Sequence, residues 1–220
     1  MTRTHHVIFS GGLDSTALLG AVIDAYGTHD VRAVSFDYGQ RHNIELSKAV
    51  RIASHYGVAH HIIDVPNLLS SEALLASSTK PVPEGDYEPE TMKDTVVQGR
   101  NLLFASLTIA QAQPGDVIWL GVHSGDHALY GDCKPEFWAH IIRAAQLGYK
   151  VHIETPYLNL TKAEIVANGD AIQAPFHLSY SCYQGGEKHC GKCATCLERR
   201  QAFTQAGIVD PTAYERNSTT

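Results

Sequence analysis

The chain has 220 residues, 44% of them hydrophobic and 18% charged, which fits one globular α/β domain with a small appendage. Its net charge of −6 and the lack of any Lys/Arg block argue against a long nucleic-acid footprint and for a small-molecule substrate. No apolar run reaches the length of a membrane span, and the N-terminal residues pass straight into a strand with no signal peptide, so a cytoplasmic protein without a membrane partner is expected.

Val7-Ile8-Phe9 is a first strand, and Ala17 to Tyr26 has helical spacing. Between them lies Ser10-Gly-Gly-Leu-Asp-Ser-Thr16, a glycine turn that opens the helix. The first backbone N–H groups of a helix have no partner within it, and the helix dipole adds positive charge there, so the turn suits an anion. Gly11 and Gly12 let a phosphate approach the backbone, and Ser10, Ser15 and Thr16 add hydroxyls. A carboxylate beside phosphate needs a cation between them, so Asp14 is read as a Mg²⁺ partner or as a helix cap. No Lys follows the glycines, which excludes a Walker A loop. The stretch resembles the PP-loop, S-G-G-x-D-S, of the ATP pyrophosphatase superfamily. That resemblance implies ATP cleaved between its α and β phosphates, leaving an adenylylated substrate.

Val31 to Phe36 is a second strand, and it ends in the polar cluster Asp37-Tyr-Gly-Gln-Arg-His42. Ile44 to Tyr56 is helical and Gly57 stops it; His60 to Val65 is a third strand. The order β-α-β-α-β predicts a parallel sheet with right-handed crossovers. Pro66 to Ala76 reads as a short helix. Residues 77–95, rich in Pro and acidic groups, read as a mobile loop, either an active-site lid or a passive surface segment. Further on, the pattern gives a helix over Leu102–Gln113, a strand over Val117–Val122 and a helix over Lys134–Leu147 closed by Gly148. A short strand follows at Val151–Ile153, then helices from Leu160 to Ala167 and from Leu197 to Gln205. The division expected is 1–175 for a nucleotide-binding α/β domain, 176–210 for a metal-binding segment packed on it, and 211–220 for a polar tail.

Four of the five cysteines, Cys182, Cys190, Cys193 and Cys196, are spaced C-x7-C-x2-C-x2-C. Gly191 permits the tight turns, and Gly185-Gly186 lets the longer arm fold back. Four thiolates with no open position describe a structural Zn²⁺ site, which fixes the C-terminal segment and does no chemistry. An iron–sulfur cluster competes, but the run lacks the fourth nearby Cys and the Pro of the bacterial ferredoxin pattern. His189, adjacent to Cys190, is left out of the ligand set.

The glycine turn, Phe36-Asp-Tyr-Gly-Gln-Arg-His42, Gly99-Arg-Asn101, Tyr130-Gly-Asp-Cys133 with Pro135-Glu-Phe137, and the four-cysteine tail occur in this order. Together they resemble the 7-cyano-7-deazaguanine synthase family, over almost the whole chain from about Val7 to about Phe203. The resemblance implies a Rossmann-like, adenine nucleotide alpha hydrolase-like fold and a homodimer. It implies a ligase reaction in which ATP activates 7-carboxy-7-deazaguanine, ammonia gives the amide, and a second ATP turns the amide into the nitrile.

On that resemblance Ser10 to Thr16, Phe36 and Gly99 are counted with the nucleotide, Arg100 is a bidentate phosphate clamp, and Lys162 reaches the α-phosphate. The deazaguanine needs an acceptor for its N1–H and exocyclic amine, from Asp132, Asp126 or Glu136, with Asp132 counted as catalytic. Tyr38, Tyr130 or Phe137 stacks on the base. Gln40, Arg41 and His42 complete the substrate side, and His123 and His127 flank it as proton carriers. Cys133 reads as a covalent nucleophile or, more blandly, as a small buried residue beside the substrate. Gly131 stands where the family commonly has Pro, which loosens the loop that holds Asp132.

Other readings remain. A tRNA thiolase would carry a basic face and a reactive Cys pair. A glutamine-using synthetase would need a glutaminase domain, so free ammonia or a separate donor is implied. A relative could serve viral DNA modification or antiviral defence, stopping at the amide or joining another amine. A non-catalytic ATP-binding sensor is opposed by the intact Ser10, Asp14, Ser15, Arg100 and Lys162.

Overall fold

Five short strands run parallel in one sheet: β1 (His5–Ile8), β2 (Val31–Asp37), β3 (Ala59–Asp64), β4 (Val117–Trp119) and β5 (His152–Glu154). Their spatial order is β3-β2-β1-β4-β5, with His5 in register with both Val31 and Val117. The structure is a computed structural model and describes residues 3–65, 68–71, 73–86, 88–126 and 130–215. From β1 the chain winds outward to β3, then returns to add β4 on the other flank. The reversal leaves a crevice between β1 and β4 at their C-terminal ends, the place where open α/β sheets bind ligands.

Helices cover both faces. On one side α1 (Leu13–Tyr26), α2 (Ile44–Tyr56), α6 (Lys162–Ala171) and α7 (Ala194–Ala206) bury Val7, Phe9, Ala33, Leu18, Ile165 and Phe203 in one core. On the other, α4 (Arg100–Gln111) and α5 (Pro135–Tyr149) pack Ile118, Ile153, Ala105 and Trp138. Central strands buried on both faces explain the unbroken apolar runs that the sequence shows there. At the N-terminal end of the sheet, Asp116 accepts hydrogen bonds from the Thr4 and Gln113 N–H groups, each at 2.9 Å, and lies 3.1 Å from His6 Nε2.

Several element ends differ from the pattern. Helix α2 ends as read, at Gly57 in the left-handed region (φ 65°). β4 stops at Trp119, since Leu120 to Val122 turn away to line the crevice. Helix α5 runs through Gly148 to Tyr149 and stops at Lys150, itself left-handed (φ 61°), whose N–H caps Gln146 O. One glycine costs a helix only about 1 kcal/mol, too little to end it against packed neighbours. Helix α6 begins at a capping box, Thr161 with Glu164, and continues through Gly169 to Ala171. Helix α7 starts inside the cysteine run, with Cys193 as its N-cap. Among the described residues of 66–76 there is no helix; Leu75 instead bridges Gln40, and Leu74 is buried. The 77–95 segment contains a short helix, α3 (Pro89–Met92), and buries Val82, Met92 and Thr95. No helix among the described residues is long and apolar enough to cross a membrane.

Gly169 sets how closely α6 approaches α1. A Cβ there would lie 2.3 Å from Phe176 Cζ and 3.1 Å from Ala17 Cβ, and Phe176 is held edge-on against Phe203 in the core. Gly169→Ala gains about 1 kcal/mol of helix propensity and loses roughly 1–3 kcal/mol to overpacking. The expected outcome is a lower melting temperature by calorimetry; an increase would show that the Phe176 ring can yield.

Candidate active site

The crevice between β1 and β4 is a cavity of about 230 Å³ whose floor is the Ser10–Ser15 turn. Gly12 caps α1, and no side chain caps the helix, so Asp14 is not a cap. The Ser10 and Ser15 hydroxyls lie 3.1 Å apart, and Ser10 Oγ accepts the Gly12 N–H. Gly11 (φ 83°) serves packing: a Cβ would lie 2.8 Å from Glu45 O and 2.9 Å from Ala49 N, so the turn sits directly against α2. Its carbonyl accepts the Tyr180 N–H at 2.9 Å. Thr16 is fully buried and donates to Gly12 O at 2.7 Å, a bond inside the helix. Gly11 and Thr16 therefore shape the turn without lining the cavity.

Lys162, at the start of α6, points into this end. Its Nζ is 2.5 Å from Glu198 Oε2 and 3.5 Å from Asp14 Oδ2. Burial works against the charge, but the carboxylates of Asp14, Glu198 and Asp126 outweigh it and hold the ammonium above its ordinary value. Asp14 Oδ1 is buried and has no hydrogen-bond partner, so one hard oxygen donor remains for a cation. His123 Nδ1 accepts the Gly125 N–H, which leaves the proton of the neutral ring on Nε2, 3.4 Å from Asp126 Oδ2 and 3.8 Å from Asp14 Oδ2.

A second cation, Arg100, opens α4 at the aromatic end, after Gly99 in the left-handed region (φ 70°). Its guanidinium lies near Tyr38, Tyr183 and Tyr130. Phe36 stacks on Phe104 with ring centroids 4.0 Å apart. Glu45, from the first turn of α2, also lines the cavity here. Burial pushes its carboxyl up to about 8, opposed by Arg100 and by a hydrogen bond from Gln40. Burial, with Arg100 adding, pulls His42 down to about 3, so its ring is neutral.

Tyr38, His42, Asp126, Tyr130 and Cys133 join this lining, while other candidates do structural work. Gln40 donates to Phe36 O and to Glu45 Oε1, and Arg41 donates to Ser78 O. Asp132 accepts the Asn101 N–H at 3.3 Å, and so caps the helix that carries Arg100 instead of lining the cavity. Glu136 is exposed on α5, and Phe137 packs edge-on against Trp138. His127 lies outside the described residues. Burial, with Asp126 and Asp132 nearby, pushes the Cys133 thiol well above the ordinary range, so it packs as a thiol. Glu45, Tyr183, Thr195 and Glu198 line the cavity without a motif to mark them. Glu45 looks like an ordinary acidic first-turn residue, and Glu198 sits in a charged run that reads as a solvated face.

The four cysteines are buried, and their sulfurs lie within 4.8 Å of one another, a set that can hold a metal ion. The Cys190 N–H donates to Cys182 Sγ, and the Cys193 N–H to Cys190 Sγ. His189 turns away: its Nε2 accepts the Ser181 N–H, and burial pulls it to about 4. Because Cys193 and Cys196 lie at the start of α7, the cluster also sets where Thr195 and Glu198 face the cavity.

The family model for queuosine biosynthesis protein QueC matches residues 5–207. A 7-cyano-7-deazaguanine synthase of Rhizobium johnstonii is 46% identical over 218 residues, covering 95% of this chain and 91% of that protein. One of Brucella ovis is 44% identical over 219 residues, covering 95% and 92%. Among solved structures, the U34-tRNA thiolase NcsA of Methanococcus maripaludis shares the fold, with a TM-score of 0.51 at 14% identity over 82% of this chain and 61% of that one.

Gly131 begins the 3-10 turn Gly131–Cys133, nothing lies within 4 Å of its Cβ position, and Tyr130 before it is extended (φ −118°, ψ 117°). A proline fits all three conditions. Gly131→Pro should stabilise the protein by about 0.4–1 kcal/mol, read from denaturant unfolding; destabilisation would show that the turn needs the Gly131 N–H. Glu45 gives a second expectation. Its folded-state value, about 8, is above the ordinary 4.5, so the folded protein keeps a proton that the unfolded chain has released. That contribution is lost as pH rises toward 8. The melting temperature of Glu45→Gln relative to wild type should therefore climb between about pH 5 and pH 8, and a flat difference would mean that Glu45 is ionised throughout.

Proposed function

The chain belongs to the queuosine biosynthesis protein QueC family, and on that premise we propose that its crevice makes 7-cyano-7-deazaguanine from 7-carboxy-7-deazaguanine, ammonia and ATP. The observation that carries the proposal is a coincidence of two findings. The Ser10–Ser15 turn, Arg100, His123 and Lys162 all fall within the matched span 5–207, and all line one cavity. Relatives at 44–46% identity bear the synthase name, so readings as a conjugating enzyme of DNA modification or defence, or as a silent sensor, are not favoured.

The residues suit the chemistry. ATP, when bound, supplies an adenylyl group that makes a carboxyl or amide oxygen a competent leaving group. The N–H groups at the start of α1 and the hydroxyls of Ser10 and Ser15 receive the β,γ-phosphates. Asp14, with its unpartnered Oδ1, holds Mg²⁺ there. Lys162 is the fixed cation that faces charge developing on the α-phosphate, and it needs no reorganisation at the moment of reaction. His123, with its proton on Nε2 toward Asp126 and its Nδ1 tied to the Gly125 N–H, orients that carboxylate, which takes the proton from the attacking nitrogen. The aromatic end accepts the flat heterocycle.

Cys182, Cys190, Cys193 and Cys196 fit Zn²⁺ in the tetrahedral all-thiolate manner of a structural site. On this reading residues 1–175 form the nucleotide-binding body and 176–210 the zinc segment that completes it. Reduced thiols suit a cytoplasmic protein, and a homodimer acting on small molecules alone belongs to the same proposal.

Incubation with the carboxy-deazaguanine, ATP and ammonium should yield the nitrile by mass spectrometry, with AMP and pyrophosphate. Lys162→Gln should lower kcat by roughly 100-fold or more while metal content stays at wild-type level. Wild-type protein that forms no amide or nitrile would overturn the reading.

A further inference from the structure

The two cations of the cavity keep different company. Lys162 answers to Asp14, Glu198 and Asp126, at the Ser10–Ser15 end. Arg100 answers to Tyr38, Tyr183 and Tyr130, and it is the cation that acts on Glu45. A phosphate clamp should sit among the turn's N–H groups, whereas Arg100 sits among aromatic rings. The carboxylates that the motifs suggest as base readers are taken or misplaced: Asp132 caps α4, Glu136 is exposed, and Asp126 faces His123.

Glu45 remains. Gln40 Nε2 donates to its Oε1 at 3.3 Å, and His42 Nε2 lies 3.6 Å from the same oxygen. Gln40 is itself locked by bonds to Phe36 O and from the Tyr38 N–H. Among the described residues the hydrogen bonds to Glu45 fall on Oε1, and its side chain, 12% exposed, lines the cavity, so Oε2 is the oxygen left for it. A donor and an acceptor thus line one aromatic-walled cavity. The Watson–Crick edge of a guanine-type base presents a carbonyl acceptor followed by two N–H donors. An adenine edge presents one amine donor followed by an acceptor. Both edges set a donor beside an acceptor, but only the guanine-type edge has a second N–H donor to share with the carboxylate.

We propose that Glu45 and Arg100 together read the base edge of the substrate, Glu45 accepting from N1–H and the 2-amino group and Arg100 donating to the ring carbonyl, with Gln40 as the residue that orients Glu45. This rests on the synthase reading and moves Arg100 from the phosphates to the base. The high carboxyl value fits: in the free protein burial favours the proton, and a ligand with two N–H donors supplies what the ionised group lacks.

The test compares 7-carboxy-7-deazaguanine with its analogue lacking the 2-amino group. Wild-type protein should prefer the amino compound by about 100-fold in kcat/KM. Glu45→Gln should lose most of that ratio through a higher KM for the amino compound, with KM for ATP and metal content unchanged. Calorimetric binding of both compounds to wild-type protein gives the same comparison independently of whether the variant folds. Nitrile formation by wild type without discrimination, retained discrimination in Glu45→Gln, or a rise confined to KM for ATP would each overturn the proposal while leaving the synthase reading intact. Nitrile from neither compound would remove that reading and the proposal with it.

Discussion

One ammonium holds the crevice together. Lys162 Nζ lies between Asp14 of α1 and Glu198 of α7, so a single charge joins three helices that are far apart in sequence. At such distances each attraction is on the order of 4 kcal/mol in a partly buried setting, before desolvation is subtracted. Without the cation, two carboxylates would face each other over the Ser10–Ser15 turn. The fold therefore brings its own neutralising group to an acidic place, and the close seat of Gly11 on α2 fixes where that place is.

The cysteine cluster acts at one remove. Its last two cysteines begin α7, so the cluster bears on the direction of Thr195 and Glu198, and through Glu198 on the position of Lys162. The same segment reaches under the turn, where the Tyr180 N–H binds Gly11 O, and across to the 77–95 segment, where Gly85 donates to Lys192 O and Glu84 pairs with Lys192. A buried arginine, Arg199, completes the joint with bonds to Ser181, Thr212 and Phe176 O. The cysteine cluster thus has structural reach into the crevice.

Much of this was legible in the sequence. Apolar runs gave the strands, since strands buried on both faces need no alternation, and the glycine turn marked the mouth of β1. The thiol spacing marked the metal cluster. What failed was local punctuation: Gly148 does not end α5, because packing outweighs one unfavourable residue, and β4 ends early where its chain becomes cavity wall. The hidden part of the site was hidden for a physical reason. Glu45 and Glu198 are ordinary charged residues on helices until tertiary structure sets them beside Arg100 and Lys162. Asp132, by contrast, sits in a conspicuous motif and spends its carboxylate on the Asn101 N–H.

The cavity draws walls from both ends of the chain. The glycine turn at its floor is complete by Thr16, yet Lys162, Tyr180, Thr195 and Glu198 all come from the last third. As the polypeptide leaves the ribosome, β1, β2 and β3 can assemble with α1 and α2 while half the crevice is still unmade. The cavity wall is whole only once the final helix is in place.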